Sequence, residues 1–124
     1  TNHIAIAWNA STETARTIAF AMPLVKKANH ITILNIEGAM VAGPTAEEVA
    51  NSLLRQGISV DIINREGKRS PAEAGALMLK ETEKIGADLL VKGGYTQSRL
   101  RQMIFGGATN HILNEAKVPV LMAH

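Results

Sequence analysis

The chain has 124 residues, enough for one domain with a sizeable core. Hydrophobic residues make up 46% and charged residues 19%, which excludes a disordered chain, and a net charge of only +2 excludes the global field of a general nucleic-acid binder. No cysteine is present, so neither a disulfide framework nor a thiolate site can form, and no apolar run nears the roughly 20 residues that span a bilayer.

No secretory signal is evident. These features predict a cytoplasmic location with no membrane and no nucleic-acid partner. The chain opens on Thr1 rather than Met, and the expectation is a processed chain or one half of a longer protein. Aromatic residues are only 3%, so the core must be built from Ile, Leu, Val, Ala and Met.

His3–Trp8 is a short apolar run that reads as a first strand. Over Thr12–Ala28 the apolar residues Ala15, Ile18, Ala19, Met22 and Val25 fall at helical spacing. Pro23 removes one backbone donor there and predicts a kink. Ile31–Ile36 is a second strand, rich in β-branched residues, and Glu37–Gly43 reads as a loop. Thr45-Ala-Glu-Glu48, behind Pro44, is a capping box that opens a helix stopping at Gly57. Ile58–Ile63 reads as a third strand. Ser70-Pro-Ala-Glu73 is a second capping box, with Pro at the first helical position, and its helix runs to about Ile85 before Gly86. Asp88–Lys92 reads as the fourth strand, Gly107–Ala116 as the last helix and Val118–Ala123 as the fifth strand.

Strands alternating with helices predict an α/β sandwich on a mainly parallel sheet. In such sheets ligands bind beyond the carboxyl ends of the strands, where strand order reverses. The ends in question are Trp8-Asn9-Ala10, Ile36-Glu37 and Lys92-Gly93-Gly94. Glycines after a parallel strand, or opening a helix, leave main-chain N–H groups bare for an anion. Gly93-Gly94 and Gly106-Gly107 stand in those two settings. Between Lys92 and His124 the basic residues Lys92, Arg99, Arg101 and Lys117 face one acid, Glu115. That is either a solvated surface or an anion-attracting rim. The glycine pairs themselves read equally as tight packing turns.

Other candidates divide in the same way. Asn9 serves as a helix cap or as a ligand contact. Trp8 is expected to pack at a strand end, with stacking on a base as the alternative. Tyr95 reads either as a surface aromatic or as a lid over the pocket. Ser98 caps a turn. His3, His30, His111 and His124 share no metal-ligand spacing. Glu47-Glu48 and Glu81-x-Glu83 read as solvated helix faces. No general base or nucleophilic constellation is apparent.

The segment Gly93-Gly-Tyr-Thr-Gln-Ser-Arg-Leu-Arg-Gln-Met-Ile-Phe-Gly-Gly-Ala-Thr109, then His111-Ile-Leu and Val118-Pro-Val-Leu121, resembles the universal stress protein family. The order of elements agrees over residues 1–124, as does the opening strand followed by Trp8-Asn9-Ala-Ser11. The resemblance implies one universal stress protein domain: a three-layer sandwich with a five-stranded parallel sheet in the order 3-2-1-4-5, of the adenine nucleotide alpha hydrolase-like type. It also implies a homodimer, or pairing with a partner universal stress domain, through the edge strand Val118–Ala123.

Members of that family divide into nucleotide binders and non-binders. Binders carry Gly, two residues, Gly, nine residues, then Gly-Ser or Gly-Thr. On this chain the pattern falls on Gly93, Thr96, Gly106 and Gly107, so the second glycine and the hydroxyl are replaced. The family's ribose-binding Asp falls on Asn9, while Arg99, Arg101 and Thr109 keep family-like residues. The implied phosphate site is then Gly93, Gly94 and Thr96 with Gly106, Gly107, Ala108 and Thr109, and Arg99 beside it. Thr at a position needing φ > 0 costs about 1–3 kcal/mol. A lost charge-assisted hydrogen bond costs about 1.5–3 kcal/mol. Two readings stand open: a stress-response regulatory domain with a weakened ATP site, Mg²⁺ accompanying the nucleotide, or a degenerate structural or dimerisation module that binds none. An enzyme on the same layout is a third reading, which no residue constellation supports.

Overall fold

The computed structural model describes residues 2–8, 12–36, 45–93 and 116–123. Its elements are β1 (His3–Ala7), α1 (Thr12–Lys27), β2 (His30–Ile36), α2 (Ala46–Arg55), β3 (Asp61–Arg65), α3 (Pro71–Lys84), β4 (Leu89–Gly93) and β5 (Val120–Ala123). The five strands form one sheet in the order β3-β2-β1-β4-β5, and every pairing is parallel. This is the topology the resemblance implied. The helix expected over Gly107–Ala116 lies outside the described residues except for Ala116, which is not helical.

Period-two alternation divides the central strands between two faces. Ile4, Ile6, Ile31, Ile33, Leu89 and Val91 meet Ile18, Ala21 and Val25 of α1 and Leu53 of α2 on one side. Ala5, Ala7, Leu34, Ile36 and Leu90 meet Ala74, Met78 and Leu79 of α3 on the other. Burial on both faces explains why β1, β2 and β4 read as continuous apolar runs. The edge strand β3 is more polar, with Asp61, Asn64 and Arg65.

Both predicted capping boxes are formed. Thr45 Oγ1 accepts from the Glu48 N–H at 3.2 Å, and Ser70 Oγ accepts from the Glu73 N–H at 3.1 Å. The Glu48 and Glu73 carboxylates accept in return from the N–H groups of Thr45 and Ser70. At the far ends, Gly57 (φ +81°) and Gly86 (φ +72°) turn the chain in the left-handed region that only glycine enters without strain. Their N–H groups bond Leu54 and Glu83, and the next residues, Ile58 and Ala87, bond Leu53 and Thr82. That paired closure is the Schellman arrangement.

The third strand starts later than expected, at Asp61 rather than Ile58. The Ile58 N–H is committed to the end of α2, so the strand cannot begin there. Similarly, β5 starts at Val120 rather than Val118 and β4 runs one residue further, to Gly93. Helix α1 continues unbroken through Pro23. Ala19 and Pro23 both lie on the exposed side, where water can take the Ala19 carbonyl that loses its donor.

Candidate functional site

The switch point of this sheet lies between β1 and β4, where chain order reverses. Ala7 pairs with Lys92, so the chain leaves the sheet at Trp8 and at Gly93 on adjacent strands. The Trp8 N–H donates to the Leu34 carbonyl at 3.1 Å, carrying the β1–β2 ladder one residue beyond the strand. Trp8 itself is 3% exposed and belongs to the core on the α1 and α2 face, so packing is its role here. Beside it a groove of about 280 Å³ runs between α1 and α2, lined by Ile18, Met22, Val49, Leu53 and, at its rim, Ser52 and Gln56.

Of the predicted site residues, the structure describes Gly93, the buried last residue of β4. Asn9, Gly94, Thr96, Arg99, Gly106, Gly107, Ala108 and Thr109 lie outside the described residues, as do Tyr95, Ser98, Arg101, His111 and His124. Two of the sequence segments chosen for the site therefore flank strand ends that the fold brings side by side.

Lys92, expected as the end of the fourth strand and as part of a basic excess, is 3% exposed. Its ammonium donates to the Gly93 carbonyl at 2.9 Å, which places the charged head at the carboxyl end of β4. Burial pushes this ammonium down from 10.5 to about 8. A basic residue inside an apparent strand is the signal that finds it.

A second feature of the carboxyl end is the β3–α3 connection. The Arg69 guanidinium donates to the carbonyls of Arg65, Glu66 and Gly67 at 3.2, 3.0 and 3.2 Å. Gly67 has φ +117°, a left-handed conformation suited to glycine. Glu81 corrects an expectation. It is buried rather than solvated, and Arg65 of β3 holds it at 3.0 Å. Glu83 is exposed, with Lys117 Nζ 3.9 Å away.

At the opposite pole the register sets His3 beside His30, with ring centroids 4.5 Å apart in edge-to-face contact. His3 Nε2 lies 2.9 Å from Thr32 Oγ1, and His30 Nε2 lies 2.8 Å from Asp61 Oδ2. Asp88 accepts from the N–H groups of Asn2 and His3 at 2.8 and 3.2 Å, which holds its carboxyl below the ordinary range. Among the described residues no group of three His, Cys, Asp or Glu is placed to hold a metal ion. None of the described helices is long and apolar enough to cross a membrane.

The sequence profile of the universal stress protein family matches residues 1–124. The chain belongs to the universal stress protein family. A universal stress protein from Archaeoglobus fulgidus superposes with a TM-score of 0.73 at 21% identity, over 98% of this chain and 43% of that one. This universal stress domain therefore spans less than half of that longer chain. A universal stress protein in complex with cAMP gives a TM-score of 0.68 at 20% identity, over 99% of this chain and 96% of that one. Another from Archaeoglobus fulgidus, in complex with dAMP, gives 0.64 at 11% identity, over 100% and 98%. A search of curated protein sequences found no match.

Proposed function

We propose that this is a cytoplasmic regulatory domain of the stress response whose switch-point crevice takes an adenine nucleotide with weakened affinity. The observation that carries this reading is the Ala7–Lys92 pairing, which sets the chain leading to Asn9 next to the chain leading to Gly94. Similar folds in complex with cAMP and dAMP support the adenine class. Among the described residues, the Lys92 ammonium lies at this end, bonded to the Gly93 carbonyl, and its positive charge favours an anionic ligand nearby. With ATP as the ligand, Mg²⁺ would accompany its phosphates.

Titration calorimetry with AMP, cAMP and ATP, with and without Mg²⁺, tests the reading. Weak binding with Kd in roughly the micromolar to millimolar range is expected, given the two altered motif positions. No heat at millimolar nucleotide rejects it. The degenerate alternative rests on Thr96 and Gly107, and it predicts that nucleotide binding appears only in the T96G/G107S double variant.

The assembly proposal concerns β5, which lies at the sheet edge with Val120, Leu121 and Met122 half-buried. An unpaired apolar edge favours pairing with another chain. A second copy, or a partner universal stress domain, is proposed along Val118–Ala123. A sharp monomer by light scattering at high concentration would reject it.

A further inference from the structure

The exposed large hydrophobic side chains among the described residues are Phe20, Leu24 and Leu54. Two of them stand on α1, one turn apart and so on one stripe of the helix. Phe20 is 68% exposed. The rest of α1 fixes the direction of that stripe. Ile18, Ala21 and Val25 enter the core, and Ala15, Ala19 and Met22 line the groove toward α2. Phe20 and Leu24 therefore take the remaining flank, away from α2. Helix α2 lies over β2 and β3, while α1 lies over β1, β4 and β5. In the strand order β3-β2-β1-β4-β5 the flank away from α2 overlooks β5, the edge. Leu121 of β5 packs against the same core from that edge.

A single exposed hydrophobic residue needs no explanation, and Leu54, alone on α2, is such a case. A stacked pair beside an apolar sheet edge is different, because the edge by itself is too small to hold a partner. Strand β5 has four residues, and a two-stranded pairing of that length is marginal in water. Stable interfaces bury about 1,200–2,000 Å² in total. Each buried aromatic side chain contributes about 150–250 Å². Among the described residues, the Phe20–Leu24 flank is the exposed apolar area beside the edge that adds to the strand pairing.

Symmetry supplies the occupant. A two-fold axis normal to the sheet pairs β5 antiparallel with its own copy and keeps both α1 helices on the same side. With strands about 4.8 Å apart, helices seated over β4 and β5 of the two copies stand about 10–15 Å apart across the axis. Packed helices lie about 8–10 Å apart, so large side chains are needed to close this gap. The two α1 helices run antiparallel, so Phe20 of one copy faces Leu24 of the other. We propose that the Phe20–Leu24 flank of α1 is the side-chain half of an interface with a second copy of this chain, the β5 edge being its main-chain half. This rests on the reading that β5 pairs with another chain, and it names the partner and the side chains that hold it.

The chain has no cysteine, so single cysteines report proximity without background. The test is sedimentation equilibrium on the wild type and on the Phe20→Ser/Leu24→Ser double variant, with a short bismaleimide cross-linker applied to Phe20→Cys, Leu24→Cys and Leu54→Cys. All three positions are exposed, and circular dichroism melts check that each variant folds. The expected result is a dimer whose Kd rises roughly 10- to 100-fold in the double variant. Chains should cross-link through Phe20→Cys or Leu24→Cys and not through Leu54→Cys. A dimeric wild type that ignores the double substitution, or that gives no cross-link through Phe20→Cys or Leu24→Cys, overturns the proposal and leaves pairing along β5 standing. A wild type that stays monomeric at every concentration overturns both. Should the double variant fail to fold, the cross-linking pattern of the single cysteines decides.

Discussion

Arg65, the last residue of β3, grips Glu81 of α3 with two guanidinium nitrogens, Nε 3.0 Å from Oε1 and Nη2 3.4 Å from Oε2. The Glu81 side chain is buried, whereas the Arg65 side chain is 38% exposed. The same guanidinium donates to the Asn64 carbonyl at 3.0 Å, so the fork is fixed at both ends. This pair ties the edge strand to the helix that covers the other face.

Removing one partner leaves the other exposed to an unfavourable setting. Arg65→Ala strands a buried carboxylate and is expected to cost about 2–4 kcal/mol. Arg65→Met combined with Glu81→Met should cost less than the sum of the single changes, because the desolvation penalty leaves with the charges. Urea unfolding of the four proteins in a double-mutant cycle measures this coupling. Additive single costs would show that the contact contributes little.

How much was legible follows from how local each interaction is. The capping boxes could be read because both halves lie three residues apart in the chain. The start of β3 was misread because the Ile58 N–H belongs to the closure of α2, which depends on the left-handed Gly57. Glu81 looked solvated because its partner Arg65 lies sixteen residues away on another element. The His3–His30 contact needs the parallel register, which spacing does not reveal. At the candidate site the strand ends were legible from apolar runs followed by Asn9 and Gly93. Lys92 was not singled out, since a basic residue at a strand end reads as solvated until the row it occupies is known.

His3 makes stability depend on pH at the amino pole. Burial first, and then the neighbouring His30, lower the His3 imidazole from its ordinary value of 6.5, against raising effects of the Ile85 backbone, Asp88 and Asp61. The unfolded chain therefore binds the proton more readily than the folded one. Stability from this group is fully present above 6.5 and is lost as pH falls below it. The denaturation midpoint of the wild type should drop between about pH 6.5 and pH 5 more steeply than that of His3→Gln. Parallel pH profiles for the two proteins would refute the assignment.

The helix caps offer a paired test. Thr45→Ala removes the side-chain acceptor for the Glu48 N–H and should cost about 1 kcal/mol in thermal or urea unfolding. At Ser70 the readout is electrostatic. Bonds from the Ser70 backbone, then from its side chain, hold the Glu73 carboxyl below its ordinary value of 4.5. Ser70→Ala should move Glu73 upward by NMR titration but not fully back, since the backbone donor is retained. A Glu73 titration unaffected by the change would mean that the hydroxyl does not reach it in solution.

Lys92 makes stability depend on pH at the carboxyl end of β4. Burial lowers its ammonium from 10.5 to about 8, so at neutral pH the folded protein carries a charge that the unfolded chain accommodates more easily. Between about pH 8 and pH 10 the unfolded state binds more protons than the folded state, and this group's contribution to stability rises with pH. Lys92→Met should therefore stabilise the domain at pH 7 by on the order of 2 kcal/mol, roughly 5–10 °C in Tm. The gain should shrink toward pH 10 as the wild-type lysine becomes neutral on folding. Calorimetric melts of both proteins across that range provide the measurement. A loss of stability at pH 7 would instead assign Lys92 a net structural role through its bond to the Gly93 carbonyl.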